Sequence, residues 1–525
     1  MPTNSESKKI GGAAIAAGGF GCVFYPALRC SSERGKNKEI LYIDDDESYV
    51  SKVLEKRDAR EEFDAGKKIY MALKDVPDSK NYYVFPTSLC IPAPAEGDEV
   101  KNVQNICQNK RNIGWMNTYG NWVWDKNARM IEAPYAGTEA RQVFSNFADG
   151  NRDNIDAFRA YCVFLIADLI KNAIAPMIKR GIIHNDIKSE NMMIDNRNRL
   201  RIIDWGLSGF LNKGHLSDDH FLKDRPFQFN VPFGGVLIGN KFNKFLKERC
   251  SQIAETSLGK DEASKKLAIP LQITAFLSML GVKDINHYSL PGHFGYTESR
   301  IASTLLSCSK TGYSNPFIDQ SDQSLTSSLT MRYIVTDSLI TIARAFTKVT
   351  TEGHIVFDEE AYAKNVYLKN ADIWGALSAL LPFARIRGGG SHSQKASGMI
   401  RGIMAKYMYS SQYAAQSIPI DTLISDLRDV AIMMLQVNGV ENVKAFAKSI
   451  RRPNSDGIRE KNFLYFLKHG KIEPAKFNNS PTRATSAKPI TKKKAKVQST
   501  KTTRARCPNG TRRNKRTGNC ESDDR

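Results

Sequence analysis

Two acidic motifs carry most of the chemistry this sequence could perform. His184-Asn185-Asp186-Ile187-Lys188-Ser189-Glu190-Asn191 is followed by Asp204-Trp205-Gly206, and each lies beside an apolar run. Between them, Met192-Met193-Ile194 and Leu200-Arg201-Ile202-Ile203 read as two short strands. The link Asp195-Asn196-Arg197-Asn198-Arg199 is turn chemistry, so the spacing predicts a hairpin. A hairpin brings Asn191 and Asp204 together, with Asp186 just upstream. A carboxylate and an amide oxygen converging on one point suit Mg²⁺, which usually takes one or two carboxylates plus the phosphates of a substrate.

In order, distance and local structure the two motifs resemble those of the protein kinase superfamily. Its catalytic loop reads His-Arg-Asp-Leu-Lys-x-x-Asn and its metal motif Asp-Phe-Gly. The main departure is Asn185, where the family usually has Arg. The resemblance implies a phosphoryl-transfer site using ATP and Mg²⁺. Asp186 would orient a substrate hydroxyl and accept its proton, Asn191 and Asp204 would hold the metal, and Lys188 would contact the transferring phosphate. Lys188 looks like a Ser/Thr rather than a Tyr kinase. His184 and Gly206 would be structural supports. The usual Arg pairs with a phosphorylated activation loop, so Asn185 implies activity that needs no such phosphorylation.

The elements upstream must position these groups. Ala16-Ala17-Gly18-Gly19-Phe20-Gly21-Cys22-Val23 resembles the family's glycine-rich phosphate loop, with Ala16 in place of the first glycine. The ATP-contacting positions would be Gly18, Gly19, Phe20, Gly21 and Val23. Tyr49-Val50-Ser51-Lys52-Val53-Leu54 looks like the strand whose lysine, here Lys52, reaches the ATP phosphates; residues 29–48 read as a hairpin insertion before it. Residues 57–73 predict a helix with Phe63, Ile69 and Leu73 on its apolar face. On that helix Glu62 is chosen as the partner of Lys52, with Glu61 the runner-up. Residues 82–91, 122–124 and 128–133 read as strands, and Glu132-Ala133-Pro134 resembles the hinge that binds adenine, largely through backbone groups. Residues 155–179 predict a long apolar helix ending at Gly181. After Gly209 the family's Ala-Pro-Glu is replaced by Arg225-Pro226-Phe227-Gln228-Phe229-Asn230-Val231-Pro232-Phe233. Asn370-Ala371-Asp372-Ile373-Trp374-Gly375 resembles the helix start whose Asp, here Asp372, supports the catalytic loop from below. Residues 384–397 read as a Gly/Ser loop, and 411–468 as helical.

The expected fold is therefore α+β and bilobal. It has a flexible start (1–10), a β-rich N-lobe (11–136), a mainly helical C-lobe (137–470) with an insertion at about 235–360, and a basic tail (477–525). The chain has 525 residues and 41% hydrophobic content, enough for a large core. Of a net charge of +21, much lies in the tail, where 14 Lys and Arg face 3 acidic residues. Its composition predicts disorder and a polyanion-binding arm. Nine scattered cysteines without metal-ligand spacing, and no secretory signal, predict mostly free thiols and an intracellular protein. No run reaches the ~20 apolar residues of a membrane span.

Cys507-Pro508-Asn509-Gly510 to Cys520 brackets a basic loop resembling a module appended to proteins of large nucleocytoplasmic DNA viruses. That resemblance implies a giant-virus kinase in the host cytoplasm, packaged in the virion, with protein substrates and a nucleic acid or virion component as tail partner. Two other readings stand beside an active protein kinase. One is a pseudokinase scaffold acting through the basic tail, which Ala16 and Asn185 favour. The other is a small-molecule kinase sharing the catalytic loop.

Overall fold

A computed structural model of the chain describes residues 12–17, 21–31, 38–42, 48–93, 107, 128–150, 155–211, 228–239, 242, 244, 245, 248, 323–349, 355–386, 391–435, 458–472, 511–513 and 520–522. By internal contacts it forms two units, Met1–Phe477 and Asn478–Arg525. The architecture is the expected α+β, with a sheet-rich lobe and a mainly helical lobe.

The first lobe is a six-stranded antiparallel sheet. Its strands are β1 (Ala13–Ala17), β2 (Gly21–Tyr25), β3 (Glu39–Ile40), β4 (Tyr49–Glu55), β5 (Ser88–Cys90) and β6 (Ala128–Pro134), in the spatial order β1-β2-β4-β6-β5-β3. Alternation along β4 divides the sheet into two faces. Val53 lies opposite Cys22 and Met130, on a face with Phe24, Leu28 and Cys90. Lys52 lies opposite Val23 and Ile131 on the other face, where Leu54, Leu89 and Ile131 pack against helix α1 (Lys56–Leu73). Ala59, Phe63, Gly66, Ile69 and Leu73 recur at helical spacing and form the buried stripe of α1. Burying a side chain such as Phe63 or Leu73 stabilises by about 1.5–3 kcal/mol, so this stripe fixes the helix on the sheet.

The second lobe centres on a helix buried almost all round. It runs as α2 (Ile155–Leu169), a π-helical turn (Ile170–Ile174) and α3 (Ala175–Lys179). Pro176 has no N–H for the carbonyl one turn back, which accounts for the wide turn before it. The helix is long and apolar enough to cross a membrane by composition, but 78% of its most apolar window is buried inside the fold. Against it pack α4 (Leu368–Ser378) and α5 (Ile420–Leu435). Two short sheets carry the acidic motifs: Ile182–Ile183 pairs with Gly209–Phe210, and Met192–Ile194 lies between Leu200–Ile202 and Thr138–Glu139. Strands β7 (Met192–Ile194) and β8 (Leu200–Ile202) make the expected hairpin, closed by Asp195, whose Oδ1 accepts the Arg197 and Arg199 N–H groups at 2.9 Å.

Several sequence expectations need correction. Residues 82–91 do not form one strand; Tyr82 ends a helical turn (Ser79–Tyr82) and only Ser88–Cys90 is strand. The intervening backbone is taken by the other lobe: the Val84 N–H donates to Ile202 O at 3.0 Å, and Val84 O accepts from Trp205 Nε1 at 2.7 Å. Residues 391–397 belong to a helix (Ser391–Tyr407), not a loop. Their polarity misleads because the serines have buried partners: Ser393 donates to Asp156 at 3.1 Å and Ser397 to Phe383 O at 3.0 Å. The region expected as an insertion contributes to the core through Leu237, Ile238, Leu339 and Ile342.

Among the described residues, four cysteines expected as free thiols are paired. Cys22 is bonded to Cys107 and Cys30 to Cys90, while Cys162 is free and buried. Both bridges lie on the sheet face away from Lys52. In the second unit, Thr511–Arg513 and Cys520–Ser522 pair antiparallel. Cys507, the strand expected at 122–124, and Gly18, Gly19 and Phe20 lie outside the described residues.

Candidate active site

The loop of residues 184–191 hangs from one buried carboxylate. Asp372, 1% exposed, accepts the His184 N–H at 2.8 Å on Oδ2 and the Asn185 N–H at 2.9 Å on Oδ1. It lies inside α4 and not at a helix start: a helical turn (Glu359–Tyr362) and a π turn (Ala363–Tyr367) run into α4 without a break. Gly375, one turn on, is a close-approach site, since a Cβ there would sit 2.3 Å from Ile187 O. Trp374 on the same helix donates to Phe229 O at 3.0 Å, tying the segment after the metal motif to the same base.

His184 is buried and braces the loop from within. The Asp186 N–H donates to its Nδ1 at 3.3 Å, and its Nε2 faces Ile203 O at 3.0 Å. Together these partners require the neutral Nε2–H tautomer. Burial holds the imidazole below its ordinary pKa, although Asp372, Asp186 and Asp204 pull the other way. Asn185 has φ 60°, a left-handed conformation that Asn adopts more readily than most residues. Its side chain is buried and its Oδ1 accepts the Tyr367 hydroxyl at 3.0 Å.

Three side chains converge on the Asp186 carboxylate. Lys188 Nζ and Asn191 Nδ2 each donate to Oδ2 at 2.8 Å, and Asn230 Nδ2 donates to Oδ1 at 2.9 Å. Asn191 also reaches Asp186 O at 2.9 Å. Its N–H groups are thus spent on Asp186, and its amide oxygen is what it has to offer a cation. Sequence reasoning missed Asn230. The signal was present, as Asn230 stands in the segment that replaces Ala-Pro-Glu, but its partner lies 44 positions away.

Lys52, Glu62 and Asp204 form the second cluster. Lys52 Nζ bonds both Glu62 oxygens, at 2.7 and 2.8 Å, and stands 3.6 Å from Asp204 Oδ1. Glu62, not Glu61, therefore faces the lysine; Glu61 lies 3.8 Å from Arg57. Burial works against charging Lys52, but the pull of Asp204 and Glu62 outweighs it and holds the ammonium above the usual lysine range. Asp204 takes φ 65°, unusual for a residue with a side chain. Trp205 anchors it: the ring stacks on Phe85 at 4.8 Å and meets His184 edge-on at 4.8 Å. Asp204 and the Asn191 amide oxygen are a hard oxygen donor set, which fits Mg²⁺.

Some positions do other work than expected. Glu132 lies opposite Ser51, so its side chain is on the face away from Lys52. There it accepts from Ser88 and pairs with Lys38 at 3.0 Å. Pro134 is buried in β6 opposite Tyr49 and has no N–H to donate. Gly21 is fixed by packing within the sheet, because a Cβ would sit 2.4 Å from Val53 O. Gly206 has room: a Cβ there would meet Asp204 Oδ1 at 3.5 Å. Val23, opposite Lys52, lies on the Lys52 face of β2.

Residues 125–226 match the family model described as protein kinase domain. Serine/threonine-protein kinase ksg1 of Schizosaccharomyces pombe is 34% identical over 86 residues, which is 16% of this chain and 14% of that relative. The chain thus aligns with only a small part of the curated relative it matches. Residues 125–226 contain both acidic motifs, and both similarities support the protein kinase superfamily.

Proposed function

We propose that this protein is an ATP- and Mg²⁺-dependent Ser/Thr protein kinase. One observation carries the reading: Lys52 is ion-paired to Glu62 and stands beside Asp204, while Asp186 is held by Lys188 and Asn191. Phosphoryl transfer asks the protein mainly for positioning and charge neutralisation. These groups supply both. Lys52 carries the positive charge for phosphates. Asp204 and the Asn191 oxygen are the metal ligands. Asp186, its carboxylate fixed by three donors, orients the substrate hydroxyl.

Activity without activation-loop phosphorylation belongs to the same proposal. The position where the family carries Arg is a buried Asn185 engaged by the Tyr367 hydroxyl, so this side chain offers a phosphate no positive charge. The test is phosphate transfer from labelled ATP to a generic basic protein, with phosphoamino-acid analysis of the product. Phosphoserine or phosphothreonine is expected, unchanged when Ser208 and Ser217 are replaced by alanine and abolished in Asp186→Ala. Phosphotyrosine alone, or ATP binding without transfer, would overturn the reading, the latter in favour of a pseudokinase. The basic segment 477–525 is proposed as a polyanion-binding arm of a viral kinase acting in the host cytoplasm; heparin retention that survives its deletion would contradict the binding role.

A further inference from the structure

The stretch before Lys52 reads in the sequence as a polar insertion, yet part of it is packed onto the helix that carries Glu62. Glu39–Ile40 forms β3 and pairs with β5, Glu39 opposite Leu89 and Ile40 opposite Ser88. The Leu41 N–H donates to Thr87 O at 2.7 Å, and the Tyr42 hydroxyl to Phe85 O at 3.2 Å. The segment is therefore bonded to the sheet along its length.

Its side chains grip α1. Glu39 takes Arg60 at 2.8 Å on one oxygen and Lys67 at 2.7 Å on the other. Leu41 packs against the cluster that includes Phe63, Leu54 and Leu89. Tyr42 stacks on Tyr70 with centroids 4.9 Å apart and planes 10° from parallel. Arg60, Phe63, Lys67 and Tyr70 recur at helical spacing, so Glu39, Leu41 and Tyr42 cover one face of the helix that carries Glu62. The contact continues inward. Tyr70 meets Phe85 edge-on at 5.5 Å, Phe85 stacks on Trp205 at 4.8 Å, and Trp205 follows Asp204 directly.

We infer that residues 39–42 are a built-in clamp that positions α1, and through it Glu62 and Lys52, so that catalysis needs no separate partner to seat this helix. The inference rests on the kinase reading. Glu39, Leu41 and Tyr42 are positioning residues; none is placed in contact with a reacting group. The ion pairs are partly exposed and screened, so they set register, while Leu41 and the Tyr42 ring supply most of the grip.

The experiment compares the full chain with Glu39→Ala/Tyr42→Ala, and with Tyr42→Phe, which keeps the stacked ring. Backbone hydrogen exchange across α1 and phosphate transfer to a generic basic protein are measured on each. In the double variant α1 amides should exchange on the order of tenfold faster, and kcat should fall on the order of tenfold. Tyr42→Phe should stay near wild type in both. Unchanged α1 exchange in the double variant would overturn the clamp, as would faster exchange with unchanged kcat. A wild type that transfers no phosphate would instead sink the kinase reading, and the exchange comparison would still decide the clamp.

Discussion

Replacing Asp372 by asparagine isolates the support of the catalytic loop. The carboxylate accepts two backbone N–H groups, from His184 at 2.8 Å and Asn185 at 2.9 Å, at a site 1% exposed. Asparagine keeps the shape but loses the charge, and it turns an NH₂ group toward one of those N–H donors. A hydrogen bond to a charged group contributes about 1.5–3 kcal/mol, and a buried donor left unmet costs about 1–3 kcal/mol. The loop should therefore lose about 3 kcal/mol of local stability, a factor of roughly one hundred in its opening equilibrium. Amide hydrogen exchange at His184 and Asn185 reads that opening directly. Exchange at both should accelerate by about that factor. Amides in α1, in the other lobe, should stay at wild-type rates. An acceleration below about threefold would mean that Asp372 is not what holds the loop, and the same would follow if α1 loosened equally.

Three other outcomes follow from the same geometry. His184 is held below its ordinary pKa by burial, so the unfolded chain takes up a proton near pH 6.5 that the folded chain resists. Its contribution is intact above about pH 6.5 and is lost as pH falls toward the folded pKa; urea midpoints should drop more steeply there in wild type than in His184→Gln, and equal slopes would contradict this. Gly21→Ala should destabilise by about 1–3 kcal/mol because the added Cβ meets Val53 O, whereas Gly206→Ala should change the urea midpoint little. Tyr367→Phe removes the donor to the buried Asn185 Oδ1 and should lower stability by about 1–3 kcal/mol in urea titration.

The parts of the fold legible in the sequence were those written in short range. The β7–β8 hairpin was readable because two short strand-like triplets flank a turn, and its Asx geometry is local to Asp195. Glu62 could be preferred over Glu61 because helical spacing places it beside the buried stripe of α1. Long-range hydrogen bonding was not readable. Val84 gives both backbone groups to the second lobe, which breaks a stretch whose composition says strand. Asn230 and Tyr367 reach Asp186 and Asn185 across the fold, and neither carries a local pattern that announces its partner. Glu132 shows a finer limit: its strand was recognisable, but the face it presents depends on register against Ser51. The cysteine pairs were hidden for the same reason, since Cys22 and Cys107 are 85 positions apart and meet only once the sheet has formed.

The most direct measurement is phosphate transfer from labelled ATP with Mg²⁺ to a generic basic protein, comparing wild type with Asp204→Ala. Asp204 stands 3.6 Å from Lys52 and is the carboxylate of the donor set. The account predicts transfer by wild type and its loss in the variant. Equal activity in both would remove Asp204 from the chemistry and contradict the site described here.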